Sequence, residues 1–488
     1  MDLQRSIASI IEGRWGPIAM DMATRLIFNE IARKPIMGVA GGLISRYVAN
    51  QDKSRGMPAR ITREKQLTLQ AIIHRYKQGI ERGTLSPHLI RTLMELFGKA
   101  LTGAPESKPA LRSFKEEHGT EPPWMIAISP GHSCNLRCRG CYSSSDGLPS
   151  KLPWSMVDRI ITEAKRLWGV SLVVVSGGEP FAYHSEGKDL IDLTDKHSDL
   201  LFLAFTNGTL LDRTAGRRME KECNMTVAIS VEGLRETTDE IRGRGVFDRA
   251  LDAMEAMQET GVPAGISVTA TRDNCAEILS DEFLDFFFER MGSIYGFYFQ
   301  YMPIGREGDP GRMPTPEQRL WMWRRSWEVV EKKKIFMFDF WNYGTLVHGC
   351  VSAGREKGYL HIDWEGNVTP CVFAPYSIAN IQEIYARGGD LNEVLDAPFF
   401  KAIREWQRQH GYKKGSLEAG DNWLTPCPVR DRHREFKQLL ELYQPQPEPG
   451  MLSGESDAEP FHNELISYGD ELRELFQPVW EREYLGRV

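Results

Sequence analysis

Short runs rich in Ile, Val, Phe and Leu alternate with longer amphipathic stretches through the middle of the chain. Residues 125–129, 172–176, 201–205, 226–230, 264–269 and 296–302 are brief and apolar, and they read as six strands. Between them, WSMVDRIITEAKRLWG and FDRALDAMEAMQET set apolar residues at helical spacing. This alternation predicts an α/β unit whose parallel strands are joined by right-handed crossovers, as an open doubly wound sheet or a partial barrel. In both arrangements ligands gather at the carboxyl ends of the strands, so the loops that follow the strands are where chemistry is expected.

The flanks have a different pattern. RITREKQLTLQAIIHRYKQGI repeats Leu67, Ile72, Ile73, Tyr76 and Ile80 on one helical face, and Ser86 followed by Pro87 predicts an N-cap and first turn. TGAPESKPALRS then reads as a linker. Beyond the strands, residues 341–427 break the rhythm with Gly, Pro and aromatic clusters, which predicts a smaller appended domain. A helix is expected over 429–443, a Pro- and acid-rich linker over 444–460, and a last amphipathic helix through 485. The expected division is 1–110, a helical module; 120–335, the α/β unit; 340–443, the appended domain; and 444–488, linker and terminal helix.

A chain of 488 residues with 41% hydrophobic and 26% charged residues fits a multidomain globular protein and excludes collagen-like, coiled-coil or disordered classes. The longest charge-free run, 366–382, carries Pro370 and Pro375, so no membrane-spanning helix is expected. The start, with Asp2, Arg5 and Glu12 among its apolar residues, does not read as a secretory signal, and a cytoplasmic location is expected. The net charge of −7 is uneven. Residues 1–110 hold 17 Lys and Arg against 9 Asp and Glu, a surplus of eight, which leaves fifteen net negative charges on the rest. Such a basic module suits anionic lipid head groups or a solvated face; without interleaved aromatic residues, no nucleic-acid partner is expected.

Eight cysteines are too few for a disulfide framework in so long a chain, and their spacing points to metal or cluster ligation. GHSCNLRCRGCYSSS places Cys134, Cys138 and Cys141 as C-x3-C-x2-C directly after the first strand. Three thiolates on one loop can hold three irons of a four-iron cluster and leave the fourth open to a small molecule; zinc is the alternative. The second strand ends in Ser176, Gly177, Gly178, Glu179 and Pro180, where the glycines admit a ligand to the backbone and the carboxylate can accept hydrogen bonds from a cation. Downstream, Cys350, Cys371 and Cys427 form a second group, with Glu365, Gly366 and Asn367 as the turn of a hairpin inside it. Cys223 and Cys275 fall outside both groups and read as small buried residues.

In this order the motifs resemble the radical S-adenosylmethionine (SAM) superfamily. C-x3-C-x2-C follows the first strand, GGEP the second, TNG (Thr206, Asn207, Gly208) the third, and SVEG then RGRGVFDRA the fourth, over residues 124–306. The resemblance implies a partial (β/α)6 TIM-like barrel and a [4Fe–4S] cluster on Cys134, Cys138 and Cys141, whose open iron chelates S-adenosylmethionine. By the same resemblance, Tyr142, Gly177, Gly178, Glu179, Pro180, Thr206, Asn207, Ser230, Glu232 and Arg242 would surround the cofactor. Gly177, Gly178 and Glu179 would meet its amino end, while Ser230 would reach its carboxylate or ribose and Arg242 its carboxylate. Two positions depart from the family pattern: Gly140 stands where an aromatic residue is common, leaving Tyr142 to pack on adenine, and Glu232 replaces the usual Asp.

The second group is similar to the auxiliary-cluster domains called SPASM and, in shortened form, twitch. The scarcity of further cysteines allows one auxiliary iron–sulfur cluster at most, a ligand short. His348, His433, Asp431, a distant cysteine or the substrate could complete it, and three thiolates with one His would equally suit structural zinc.

An enzyme of this kind needs a reductant protein such as flavodoxin or ferredoxin. For its substrate, a lipid or membrane-resident molecule is placed first, because the basic N-terminal module includes the apolar stretch PIMGVAGGLISRYVA and would lie at a membrane surface. The alternatives are a peptide or protein maturase and a non-catalytic iron–sulfur carrier or scaffold.

Overall fold

The computed structural model describes residues 27–102, 108–145, 149–222, 224–448, 450–452 and 459–487. Cys223, the start of the chain and parts of both expected linkers lie outside these residues.

The six expected strands form in order: β1 (Met125–Ile128), β2 (Leu172–Val175), β3 (Leu201–Thr206), β4 (Met225–Ser230), β5 (Ala264–Ala270) and β6 (Gly296–Gln300). All neighbours are parallel, with Ile126 opposite Val173 and Val173 opposite Phe202. The helix Trp154–Trp168 buries Val157, Ile160, Ile161, Ala164 and Trp168, and stops at Gly169, whose left-handed backbone (φ 61°) lets its N–H return to the Lys165 carbonyl at 3.0 Å. Val246–Thr260 is closed in the same way by Gly261. These helices shield one side of the strands and direct the loops after the strands to one end, as the α/β grammar requires.

Two features extend this barrel. A seventh parallel strand, β7 (Met337–Asp339), pairs with β6. At the other edge β8 (His361–Ile362) runs parallel to β1 and turns into β9 (Asn367–Thr369) and β10 (Ala379–Asn380), so the ten strands form one sheet in the order β10-β9-β8-β1-β2-β3-β4-β5-β6-β7. The expected hairpin is therefore present, and it is tied by Asp363, whose Oδ1 accepts from the Glu365 and Asn367 N–H groups, both at 2.8 Å. The hairpin carries the Cys371 segment to the barrel edge beside β1, close to the first cysteine loop.

Of the N-terminal helices, Glu30–Ser54 packs against Ala59–Glu81, Pro87–Thr102 against β3 and Lys108–His118 against Trp154–Trp168. Arg75 is almost fully buried and donates to the Ser293 carbonyl at 2.9 Å and to Glu289 at 2.8 Å. Ser86 Oγ accepts from Leu89 N–H, the expected cap. The apolar stretch PIMGVAGGLISRYVA lies in the helix Glu30–Ser54. Among the described residues no helix is long and apolar enough to cross a membrane. The last helix, Glu459–Glu483, packs against Pro316–Glu328 and His433–Tyr443, and just beyond it the Tyr484 hydroxyl donates to Glu64 of Ala59–Glu81. The helix expected over 429–443 starts later, at His433, because the Asp431 and Arg432 N–H groups both turn back to the Cys427 carbonyl.

Candidate active site

A cavity of about 380 Å³ opens at the carboxyl ends of the strands, and all six cysteines of the two groups line it. Cys134, Cys138 and Cys141 sit on the loop after β1. That loop is fixed by backbone and side-chain contacts: His132 Nε2–H donates to the Ser143 carbonyl at 2.9 Å, and Arg139 N–H to Ile241 at 2.9 Å. Arg306, which no motif pointed to, braces it further by donating to the carbonyls of Cys138 (2.8 Å) and Ser145 (2.5 Å). Burial pushes the Cys134 thiol up to about 11, against a single opposing contact from Leu136 N–H, and burial also raises Cys138. The Cys134 and Cys138 thiols thus stay protonated near neutrality, so iron binding to them must displace protons.

The GGEP segment packs directly on that loop. A Cβ on Gly178 would fall 2.2 Å from the Ser133 carbonyl oxygen, and one on Gly177 (φ 115°) would fall 2.7 Å from that of Gly131. These glycines thus first allow two backbones to touch, which adds a packing reason to the expected approach of a ligand. Glu179 is buried, and its carboxylate accepts from Thr206 Oγ1 (2.6 Å), Asn207 N–H (2.7 Å) and Phe181 N–H (3.1 Å). Burial raises its pKa and these donors oppose the rise. With three bonds already made, Glu179 has about one acceptor site left for a ligand. Pro180 opens the short turn that brings the Phe181 N–H back to Glu179. Asn207 Nδ2 reaches Asn135 Oδ1 at 2.9 Å and Cys134 Sγ at 3.7 Å, joining the third loop to the first. Tyr142 is held by Ser176 Oγ (2.5 Å) and by Gly177 N–H (3.3 Å).

On the opposite wall Ser230 Oγ meets Ser267 Oγ at 3.0 Å, and Arg242 donates to Glu232 at 2.5 Å, whose other oxygen takes the Thr269 N–H. Burial is the largest single influence and would lower Arg242, but the charge and hydrogen bond of Glu232 together with the neighbouring Cys138 and Cys141 outweigh it and keep the guanidinium charged. Arg242 therefore has a carboxylate partner before any ligand arrives. At Gly140 the space beside the backbone is filled by Arg312, whose guanidinium lies 4.9 Å over Tyr301.

Cys350, Cys371 and Cys427 line the far end. Burial pushes Cys427 up to about 12, and burial with the neighbouring thiols raises Cys371. Between the two cysteine groups stand aromatic rings absent from the expected site. Phe299 stacks on Phe340 (5.3 Å, 13°), and Phe373 meets Tyr142 at 5.8 Å and Trp341 at 5.5 Å. In sequence these residues read only as strand and hairpin apolar positions. The three named candidates for a fourth ligand all have other partners. Asp431 pairs with Arg319 and Arg430, His433 bonds the Val429 carbonyl and His462, and His348 contacts Lys65 and stacks on Trp423.

Among the described residues no three His, Cys, Asp or Glu side chains converge as closely as one metal ion requires. The thiols of both groups instead stand around one cavity, an arrangement that suits bodies of several irons. For a cofactor, the cavity offers room, the Gly177–Gly178 backbone, the remaining acceptor site on Glu179 and the hydroxyl of Ser230.

Residues 128–273 match the family model of the Radical SAM superfamily, a span that carries the first cysteine loop, GGEP, TNG and the fourth and fifth strands. The chain thus carries a radical SAM domain and is an enzyme of the kind that works with a [4Fe–4S] cluster and S-adenosylmethionine. More particularly, it is similar to a mycofactocin maturase of Mycolicibacterium smegmatis, 28% identical over 305 residues covering 60% of this chain and 75% of the relative. It is also similar to an AdoMet-dependent heme synthase of Oleidesulfovibrio alaskensis, 27% identical over 300 residues covering 55% and 74%. In fold it resembles Streptococcus suis SuiB bound to its precursor peptide SuiA, with a TM-score of 0.50 and 19% identity over 60% of this chain and 70% of that one.

Proposed function

We propose that this enzyme modifies a peptide, using Cys134, Cys138 and Cys141 to hold a [4Fe–4S] cluster and Cys350, Cys371 and Cys427 to hold a second, SPASM- or twitch-like one. The observation that carries the reading is the single cavity lined by both cysteine groups, together with likeness to a maturase over most of that relative's length. The likeness to a maturase favours a peptide over the lipid substrate placed first from sequence. A non-catalytic carrier is equally disfavoured by membership in an enzyme class.

Bound here, the cluster and S-adenosylmethionine supply an electron and a 5′-deoxyadenosyl radical that takes a hydrogen atom from the substrate. The protein's own contribution is placement. Gly177 and Gly178 bring the second loop against the cysteine loop, and Glu179 fixes the third loop while offering its remaining acceptor site to the cofactor's amino group. Thr206 and Asn207 hold Glu179, Tyr142 props Gly177, and Ser230 with the Arg242–Glu232 pair forms the cofactor's far wall. Phe299, Phe340 and Phe373 keep water from the reacting carbon, which protects a radical from quenching. A reductant protein such as flavodoxin or ferredoxin supplies the electron.

A tetrapyrrole is the second reading, favoured by the flat aromatic lining and by the likeness to a heme synthase. Anaerobic turnover decides between them. The reconstituted enzyme, S-adenosylmethionine and reductant are incubated with peptides encoded beside its gene or with coproporphyrin, and 5′-deoxyadenosine and substrate mass are followed. A mass change in a peptide supports the first reading; one in the porphyrin alone replaces it with the second.

A further inference from the structure

Three arginines reach the cavity wall near the first cysteine loop. Arg242 is paired with Glu232 at 2.5 Å and Arg139 with Glu240 at 3.3 Å. Arg312 is different. Its side chain is only 15% exposed, its Nη1 makes no hydrogen bond, and the carboxylate within ion-pair reach, Glu307, stands 3.9 Å away and is half in solvent. Tyr301 supports the guanidinium at 4.9 Å, and Nη1 points at Gly140, where a Cβ would come within 2.4 Å of it. Gly140 and Arg312 are thus a matched pair: the missing side chain at 140 makes room for a guanidinium that arrives from the turn Pro310–Arg312 after β6.

Nη1 itself is enclosed against Gly140, so a ligand would meet the guanidinium at the edge it shows to the cavity, and a planar fork of this kind is best matched by a carboxylate. Arg312 stands on the β6 side of the cavity, which continues through Gln300 and Trp341 toward the second cysteine group. Ser230 ends β4 and Arg242 ends the helix Arg235–Arg242 that follows it, while Glu232, the partner of Arg242, also feels the Arg312 charge. We propose that Arg312 anchors a carboxylate carried on an apolar body, and that this carboxylate belongs to the substrate. The inference rests on the reading that the substrate occupies this cavity. Both substrate readings offer the group, a peptide through its C-terminus or an acidic side chain and a tetrapyrrole through its propionates. The methionyl carboxylate of the cofactor is the competing source.

The test uses the cluster-reconstituted full chain with S-adenosylmethionine bound, titrated by calorimetry with 3-phenylpropanoate and with its uncharged amide. The acid should bind about tenfold more tightly than the amide, as a charge-assisted bidentate contact requires. Arg312→Met, which keeps the apolar stem, should lose that preference, and Arg312→Lys should regain part of it. Iron content and S-adenosylmethionine affinity should stay within about twofold of the parent in both. Equal binding of acid and amide by the parent, or a preference that survives in Arg312→Met, overturns the proposal. So does a large loss of S-adenosylmethionine affinity in Arg312→Met, which would give the guanidinium to the cofactor. The readout is binding, so failure of peptide turnover and failure of carboxylate recognition are seen separately.

Discussion

Arg319 and Asp431 meet as a bidentate pair with no exposed surface on either side chain, Nη1 to Oδ1 at 2.5 Å and Nη2 to Oδ2 at 2.9 Å. The pair reaches the second cysteine group through the backbone. Asp431 Oδ2 accepts from Cys427 N–H at 3.3 Å, and the Asp431 N–H donates to the Cys427 carbonyl at 2.9 Å. Arg430 adds a second cation at 3.0 Å and ties the same carboxylate, through Gln300 and Asp339, to β6 and β7. A residue first considered as a cluster ligand therefore serves instead to fix the loop that bears one.

Asp431→Asn keeps the volume and removes the charge, leaving two buried guanidinium groups without their direct ion-pair partner and only Asp339 nearby as a counter-charge. Such a loss costs about 3–5 kcal/mol. The expected result is a lower unfolding temperature and, at temperatures where the variant is folded, loss of iron from the second group before the first. Iron per chain should fall by about half while S-adenosylmethionine still yields 5′-deoxyadenosine. Parent-like iron content would show that the pair does not govern Cys427.

The two cysteine groups should separate in function. Cys134→Ala, Cys138→Ala and Cys141→Ala each remove one of three thiolates from the first site and should abolish 5′-deoxyadenosine formation. Cys371→Ala should retain 5′-deoxyadenosine and lose modified product, because its thiol lies at the far end of the cavity, beyond Phe373. Equal loss of both products in Cys371→Ala would make the second group structural.

Glu179→Gln tests whether the carboxylate is needed for its geometry. The amide would turn an N–H₂ donor toward either the Asn207 N–H or the Thr206 and Phe181 donors, leaving at least one buried donor unmet at a cost of about 1–3 kcal/mol. The third loop then loses its anchor. S-adenosylmethionine binding should weaken at least tenfold with iron at the first group retained, measured by equilibrium titration. Unchanged affinity would mean that backbone contacts alone hold the cofactor.

Much of this architecture is legible along the chain because its signals are local. The six strands are continuous apolar runs, and Cys134, Cys138 and Cys141 lie on one loop, as do Gly177, Gly178 and Glu179. What the sequence hides is contact between distant segments. β7 is three residues long, too short for a period, and becomes a strand because β6 offers an open edge. Arg312 is an ordinary turn arginine until folding sets it against Gly140. Arg306 and Phe373 likewise acquire their places from the loops they touch, and Asp431 changes from candidate ligand to brace once Arg319 is known to face it.

The linker that follows the helix His433–Tyr443 buries Glu448 beside Asp363 of the hairpin, and this pair of acids makes stability depend on pH. Glu448 is 4% exposed beside Asp363, which ties the hairpin turn, and Glu448 Oε1 finds no hydrogen-bond partner. Burial, followed by the charge of Asp363, pushes Glu448 up to about 9. In the folded chain Glu448 thus holds its proton over a range where the unfolded chain has released it. The folded state binds more protons, so stability falls as pH rises. The contribution is fully present below the ordinary carboxyl range and is lost progressively up to about pH 9. Glu448→Gln mimics the protonated form and removes this loss. It should raise the unfolding temperature at pH 8.5 and leave it nearly unchanged at pH 4.5, in thermal melts with both cysteine groups loaded with iron. An equal gain at both values would mean that the substitution acts by packing and that the Glu448 proton is not involved.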